Sequence, residues 1–198
     1  YTAIGDSDHQ AVSIDVGAQI GVISLAMARF GSNNHLVHSV EADDLNFRRL
    51  TLNVSGRLGA VITAHNTAIG NLIGTAGFTR HEDSGTNHLS VFDNPTIAAT
   101  EVCTVPITTL DAFANEQLID EIEILKIDVE GADLDVLRGA ENLLGGGRIK
   151  AIIVEVPLES DNREKLSNLL VDSGMTIAYI VRNSDELIEA SEAAYITS

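Results

Sequence analysis

Ser13-Ile14-Asp15-Val16-Gly17-Ala18-Gln19-Ile20-Gly21-Val22-Ile23-Ser24-Leu25 reads as a buried strand ending at Asp15-Val16, a tight glycine turn, and a helix opening near Ile20. Gly17 and Gly21 allow a sharp turn and a close approach to the main chain. A helix behind such a turn points N–H groups and its positive dipole end into the space beyond the strand. Strand, glycine turn and helix together form the edge at which parallel α/β sheets hold nucleotide-type cofactors. A plainer reading competes with this one. In it, Asp15 only ties down the turn, and the two glycines close a strand–helix joint.

The spacing bears on the choice of cofactor. A dinucleotide fingerprint is G-x-G-x-x-G, with pyrophosphate over the helix N-terminus. Here the glycines are spaced G-x-x-x-G, and Asp15 stands two residues before the first of them. An anion at that place repels a pyrophosphate and suits a ligand with a cationic amino group. S-adenosylmethionine has such a group and carries no phosphate.

The chain of 198 residues, 44% of them hydrophobic, is long enough for one domain with a sizeable core, and residues 1–198 are taken as a single domain. Its apolar runs are too short to span a membrane. Tyr1 is not followed by a basic and then apolar leader, so no signal peptide is expected and a cytoplasmic location is. The lack of an initiator Met fits a trimmed C-terminal portion of a longer chain. A net charge of −17 argues against a nucleic-acid backbone or an anionic membrane as partner, since both call for a basic patch. Only three lysines (Lys126, Lys150, Lys165) stand among 29 acids, a balance like that of proteins from salt-loving organisms. If that habitat is right, stability rises between low and molar salt; an unchanged denaturation midpoint would remove the idea. The single Cys103 excludes an internal disulfide and reads as a small buried apolar residue.

Strands and helices alternate along the chain, which means an α/β fold with a mainly parallel sheet. The first helix ends at Arg29-Phe30-Gly31, and Leu36 to Glu41 is a second strand. Asp43 or Asp44 caps a helix to about Val54, and Val61 to Ile69 is a third strand. Residues 72–107 break the rhythm with short strands and loops, read as an excursion over one side of the sheet. Thr109 caps the next helix, Ile122 to Asp128 is a fourth central strand, and Asp133 to Leu144 is one helix stopped by Gly145-Gly146-Gly147. Ala151 to Val156 is a fifth strand. A helix from about Asp161 to Val171 and a strand from Met175 to Val181 follow, with a last short strand around Ala194 to Ile196.

Three strand ends carry acids: Asp15, Glu41 and Asp128. Glu41 lies 24 residues after Gly17, where an acid accepts hydrogen bonds from both ribose hydroxyls of either NAD or S-adenosylmethionine. Asn66 and Ala68 close the third strand, where an amide can read an adenine edge, although an Asn in a loop usually just makes a turn. In Leu125-Lys126-Ile127-Asp128-Val129-Glu130-Gly131, Lys126 and Asp128 share a strand face and Glu130 sits just beyond the strand end. Such a run binds a polar ligand or moves a proton, or else it is only a local ion pair. The six histidines show no metal-ligand spacing and no metal site is expected; His81 and His88, in the excursion, could shape a substrate mouth but read more simply as surface or loop residues.

Asp15 to Gly21, Val40-Glu41-Ala42, Thr109-Leu110-Asp111 and the run from Leu125 to Ala140 resemble the FkbM-type methyltransferases, as does the Asn46, Leu50, Asn53 pattern. The resemblance covers about residues 13 to 180, and the run 125–140 is its most specific part. It implies a Rossmann-like fold with a seven-stranded sheet in the order 3-2-1-4-5-7-6, the seventh strand antiparallel, and helices on both faces. It implies S-adenosylmethionine as cofactor and O-methylation of a hydroxyl on a small-molecule or saccharide acceptor. On this resemblance Asp15, Gly17, Ala18 and Gly21 hold the methionine end, Glu41 takes the ribose, Asn66 and Ala68 flank the adenine, and Asp128 lies beside the sulfonium. Glu130 and Lys126 are the candidate proton acceptors. Gln19 stands where the family usually has Asn, and Ala42-Asp43 replaces the common Pro-containing turn after Glu41. An NAD-linked oxidoreductase and a non-catalytic cofactor-binding module are the rival readings.

Overall fold

In a computed structural model, which describes residues 10–31, 35–56, 61–80, 88–90, 101–155, 162–180 and 187–189, the opening stretch folds as strand, turn and helix. The chain runs β1 (Val12–Val16), α1 (Val22–Phe30), β2 (Leu36–Val40), α2 (Asp44–Val54), β3 (Ile62–His65) and β4 (Ala68–Gly70). It continues through β5 (Gly74–Arg80), β6 (His88–Ser90), β7 (Glu101–Thr109), α3 (Leu110–Glu116), β8 (Ile122–Ile127), α4 (Asp133–Arg138) and α5 (Glu141–Gly145). The described part closes with β9 (Ile149–Val154), α6 (Asn162–Asp172), β10 (Ala178–Ile180) and β11 (Leu187–Glu189). The strand expected near Ala194 lies outside the described residues. Among those residues no helix is long and apolar enough to cross a membrane.

Five strands pair in parallel in the order β3-β2-β1-β8-β9, with β1 at the centre. This is the expected 3-2-1-4-5 core. β10 and β11 form an antiparallel pair of their own. On one sheet face Val37 and Ile62 pack with Ala18, Leu50 and Val54, beneath α1 and α2. On the other, Leu125 and Ile127 meet Leu134, Leu137, Leu143, Leu166 and Leu170 from α4, α5 and α6. Each such side chain contributes roughly 1.5–3 kcal/mol by leaving water. With helices on both faces, β1 is buried from Ser13 to Val16 and β8 from Leu125 to Ile127.

The stretch expected as one third strand is two. β3 stays beside β2, whereas β4 leaves the parallel sheet and pairs with β7. The switch falls at Asn66-Thr67. The Asn66 amide donates to the carbonyls of Glu41 and Ala42, and the Thr67 hydroxyl donates to that of Pro106. The excursion after it is a second sheet in the order β4-β7-β5-β6, with its own core of Ala68, Ala76, Phe78, Val105 and Ile107.

The helix expected from Asp133 to Leu144 also breaks, after Arg138. A Cβ on Gly139 would lie 2.0 Å from the Gly70 carbonyl oxygen, so the residue seated on β4 has no side chain. The Asp111 amide takes the Gly139 carbonyl, and the Asp111 carboxylate accepts from the amides of Asn142 and Leu143 and from the Asn142 side chain, at 2.8–3.0 Å. It therefore caps the new helix start at α5. Thr109 caps α3 through the Ala112 amide, as expected.

His35, just before β2, and His38, within it, are buried. His35 bonds the Ser13 hydroxyl at 2.8 Å, and His38 stacks on His65 with a 3.0 Å ring-to-ring hydrogen bond beside Phe113. Burial, reinforced by His65, pulls His38 down to about 4, so it is neutral at pH 7.

Replacing Asp111 by Ala leaves two amides of the first turn of α5 without an acceptor. We expect a loss of about 1–2 kcal/mol in urea unfolding, with an unchanged m-value. A midpoint equal to the wild type would show that this cap adds nothing.

Candidate functional site

The glycine turn after β1 is shaped by protein, on both sides. Gly17 has φ +75, and a Cβ there would lie 1.9 Å from the Asp128 carbonyl oxygen. At Gly21, φ +91, a Cβ would meet the Leu50 methyl at 2.6 Å. What approaches the main chain at these points is the end of β8 and the flank of α2. Four amides of the turn are taken by protein acceptors. Gly17 and Ala18 both donate to the Val40 carbonyl, Gly21 to that of Ala18, and Gln19 to the Glu41 carboxylate.

Glu41, just past β2, staples two loops together. One carboxylate oxygen accepts from the Gln19 amide and the other from the Asp43 amide, each at 2.8 Å. The side chain is buried, and burial pushes its pKa up to about 6, against the pull of these two hydrogen bonds. Asp43 in turn caps α2 through the amides of Leu45 and Asn46.

Behind the turn lies a buried polar line. Ser39 donates to Ser24, and Ser24 donates to Asp15 at 2.6 Å. The other Asp15 oxygen has no hydrogen-bond partner but lies 3.2 Å from the Lys126 ammonium, a charge contact off the hydrogen-bond axis. The same ammonium donates to the Gly17 carbonyl at 2.9 Å and pairs with Asp128 at 3.4 Å. Beyond β8 the chain turns through Glu130, whose φ of 49 is left-handed, and Gly131 at φ 95. The Asp133 carboxylate accepts from the amides of Val129 and Gly131, on either side of Glu130.

These elements line a cavity that opens to solvent. Five of the residues singled out from the sequence line it: Gly17, Glu41, Ala68, Asp128 and Glu130. The other five stand behind it. Asp15 and Lys126 brace the turn, Ala18 and Gly21 pack against the core and α2, and Asn66 holds the loop after β2. Sequence reasoning missed Thr67, Ile69 and Phe78, which come from the strand that changes sheets and from the second sheet. Nothing in the local pattern of a lone Phe in β5 points to the cavity. Among the described residues lining it, every ionisable side chain is an acid: Glu41, Asp128 and Glu130.

Residues 15–183 match the family described as Methyltransferase FkbM domain. The fold is similar to that of the methyltransferase FkbM from Methylobacillus flagellatus KT, with a TM-score of 0.58 and 17% identity over 83% of this chain. This chain spans only 37% of that protein's length. It is also similar to the precorrin-6y C5,15-methyltransferase from Geobacter metallireducens GS-15, with a TM-score of 0.50 and 15% identity over 87% of this chain and 68% of that one. At these identities the likeness is one of fold. No curated protein sequence matches the chain significantly.

Removing the ammonium tests the brace. Lys126→Met strands the Asp15 carboxylate without its counter-charge, and we expect roughly 3–5 kcal/mol of destabilisation, partly recovered by adding Asp15→Asn. Unfolding of Lys126→Met at the wild-type denaturant midpoint would show that Asp15 is not held this way.

Proposed function

The chain belongs to the methyltransferase FkbM domain family, and on that premise we propose that its cavity binds S-adenosylmethionine and serves O-methylation of a hydroxyl on a small molecule or sugar. The observation that carries this reading is Glu41. Each carboxylate oxygen has two acceptor positions, and each gives one to a backbone amide. One position on each oxygen is left for a pair of neighbouring hydroxyls, as on a ribose.

The cavity's charge supports the same ligand. Three carboxylates line it and no basic side chain does, among the described residues. An ammonium and a sulfonium are welcome there, and a pyrophosphate is not. The turn that would cradle a pyrophosphate has spent the amides of Gly17, Ala18, Gln19 and Gly21 on protein acceptors, which disfavours NAD. Ala68, with Ile69 and Phe78, offers an apolar slot for the adenine. Asp128 faces the sulfonium. Asp15, Ala18 and Gly21 act from behind, by fixing the turn.

When bound, the cofactor supplies an electrophilic methyl group. The protein's part is to align the acceptor hydroxyl with it and to exclude water, for which Val129, Ile69 and Phe78 provide the apolar walls. Glu130, exposed at the rim, would take the proton of the acceptor hydroxyl. Lys126 does not fill that role. Its ammonium is engaged with three oxygens and has no lone pair to offer, so it is a brace.

The pKa of Glu41 fixes the sign of a pH test. Because burial raises it from 4.5 to about 6, the fold prefers the neutral acid, and keeping it ionised at pH 7 costs about 2 kcal/mol. That contribution to stability is fully present below pH 4.5 and is lost as pH rises through 6. Ribose hydroxyls favour the ionised form, so affinity runs the other way. Calorimetric titration with S-adenosylhomocysteine should show tight binding above pH 6, weakening by up to about tenfold per unit below it. Glu41→Gln should bind weakly with a flat profile, and Glu41→Ala should not bind. Binding of NAD alone would overturn the reading; binding of S-adenosylhomocysteine without turnover on any hydroxylated substrate would favour the non-catalytic module.

A further inference from the structure

We propose that Asp133 is the positioning residue of this site: its carboxylate holds the turn 128–131 so that Glu130 and Asp128 face the cavity. The inference rests on the reading of that cavity as the methyl-transfer site.

The turn needs a holder. Glu130 is a non-glycine residue at φ 49, followed by Gly131 at φ 95, so two successive residues are left-handed. For an L residue this costs roughly 1–2 kcal/mol and persists only where surrounding contacts impose it. Asp133 supplies those contacts. One of its oxygens accepts from the Val129 amide and the other from the Gly131 amide, both at 3.3 Å, so the two bonds straddle Glu130. Gripping two amides with two separate oxygens is a task for a carboxylate; Asn has one acceptor atom and Ser has one.

The ordinary alternative is that an acid in the first turn of α4 serves the helix. The geometry points elsewhere. The residue at the cap position, Ala132, makes no side-chain cap, and besides its own amide Asp133 turns its oxygens backwards, to two amides that precede the helix. It does so at a cost, since it is buried to 7% exposure with the Asp128 charge nearby, and both effects push its pKa up. A solvated acid at the helix surface would give α4 the same dipole benefit without that penalty.

The test combines nuclear magnetic resonance with calorimetry on the full chain. In the unaltered protein, the Val129 and Gly131 amide resonances should titrate together, with a midpoint above the ordinary aspartate value of 3.8. Glu130 should show the strong intraresidue amide-to-Hα contact of a left-handed residue. Asp133→Asn and Asp133→Ser should weaken that contact and reduce affinity for S-adenosylhomocysteine by roughly tenfold, the price of one lost hydrogen bond. Glu130→Gln should leave the amide titration in place. Amides that do not titrate, or Asp133 variants that keep both the left-handed contact and wild-type affinity, would overturn the proposal. If the unaltered protein does not bind S-adenosylhomocysteine, the cofactor reading fails by itself. The amide titration and the Glu130 contact still decide whether Asp133 holds the turn.

Discussion

The Lys126 ammonium is the contact on which the rest of the site depends. β1 and β8 are neighbours in a parallel sheet, with Asp15 directly beside Lys126 in register. Their C-terminal ends must stay close while the chain above them opens into a cavity. Two acids, Asp15 and Asp128, sit at that edge, and their repulsion acts at short range in a poorly screened setting. One cation between them, bonded also to the Gly17 carbonyl, joins strand, glycine turn and the end of β8 at a single point. The approach of Gly17 to the Asp128 carbonyl, too close for any Cβ, is the packing consequence of that junction. A buried charge costs desolvation, and here three oxygens from two strands and a turn share in offsetting it.

A second pattern repeats around the cavity. Glu41 and Asp133 are both buried carboxylates that accept one backbone amide on each oxygen, and in both burial raises the pKa. The first ties the turn after β1 to the loop after β2; the second shapes the turn after β8. Asp43 and Asp111 do related work at the starts of α2 and α5. Part of this chain's acidity is thus structural, spent on backbone amides at turns and helix starts. Of these amide-holding acids Glu41 also lines the cavity, where Asp128 and Glu130 add to the negative charge of its walls.

How far the sequence foretold this depends on the range of the interactions. The β1–turn–α1 unit and the alternation of β2, α2, β8 and β9 were legible because apolar periodicity and caps such as Asp43 and Thr109 are local. So was the placement of Glu41 and Asp128 at strand ends. The two glycines also answer to contacts that no local pattern shows: they make room for the Asp128 carbonyl and the Leu50 methyl. Val61 to Ile69 keeps an unbroken strand pattern, and its split depends on Pro106, far along the chain, drawing Thr67 away. The break after Arg138 is equally distant in origin, since Gly70 and Asp111 impose it on a sequence whose leucine spacing continues. Asp133 looked like one acid among 29 because its partners are backbone amides, which no side-chain pattern reveals.

These distant contacts converge on α4, a helix of six residues. Its first residue, Asp133, grips the turn that carries Asp128 and Glu130. Just past its end, Gly139 rests on the Gly70 carbonyl at the end of β4, and on its flank Asp135 accepts from the Asn71 amide. β4 contributes Ala68 and Ile69 to the cavity, and β5, in the same sheet, contributes Phe78. One wall therefore hangs on the start of α4 and the facing wall leans on its end. The helix is too short to hold itself together by its own hydrogen bonds and is fixed by Leu134, Val136 and Leu137 in the core. Core packing beneath α4 thus sets the distance between the acids at the end of β8 and the apolar surface of the second sheet.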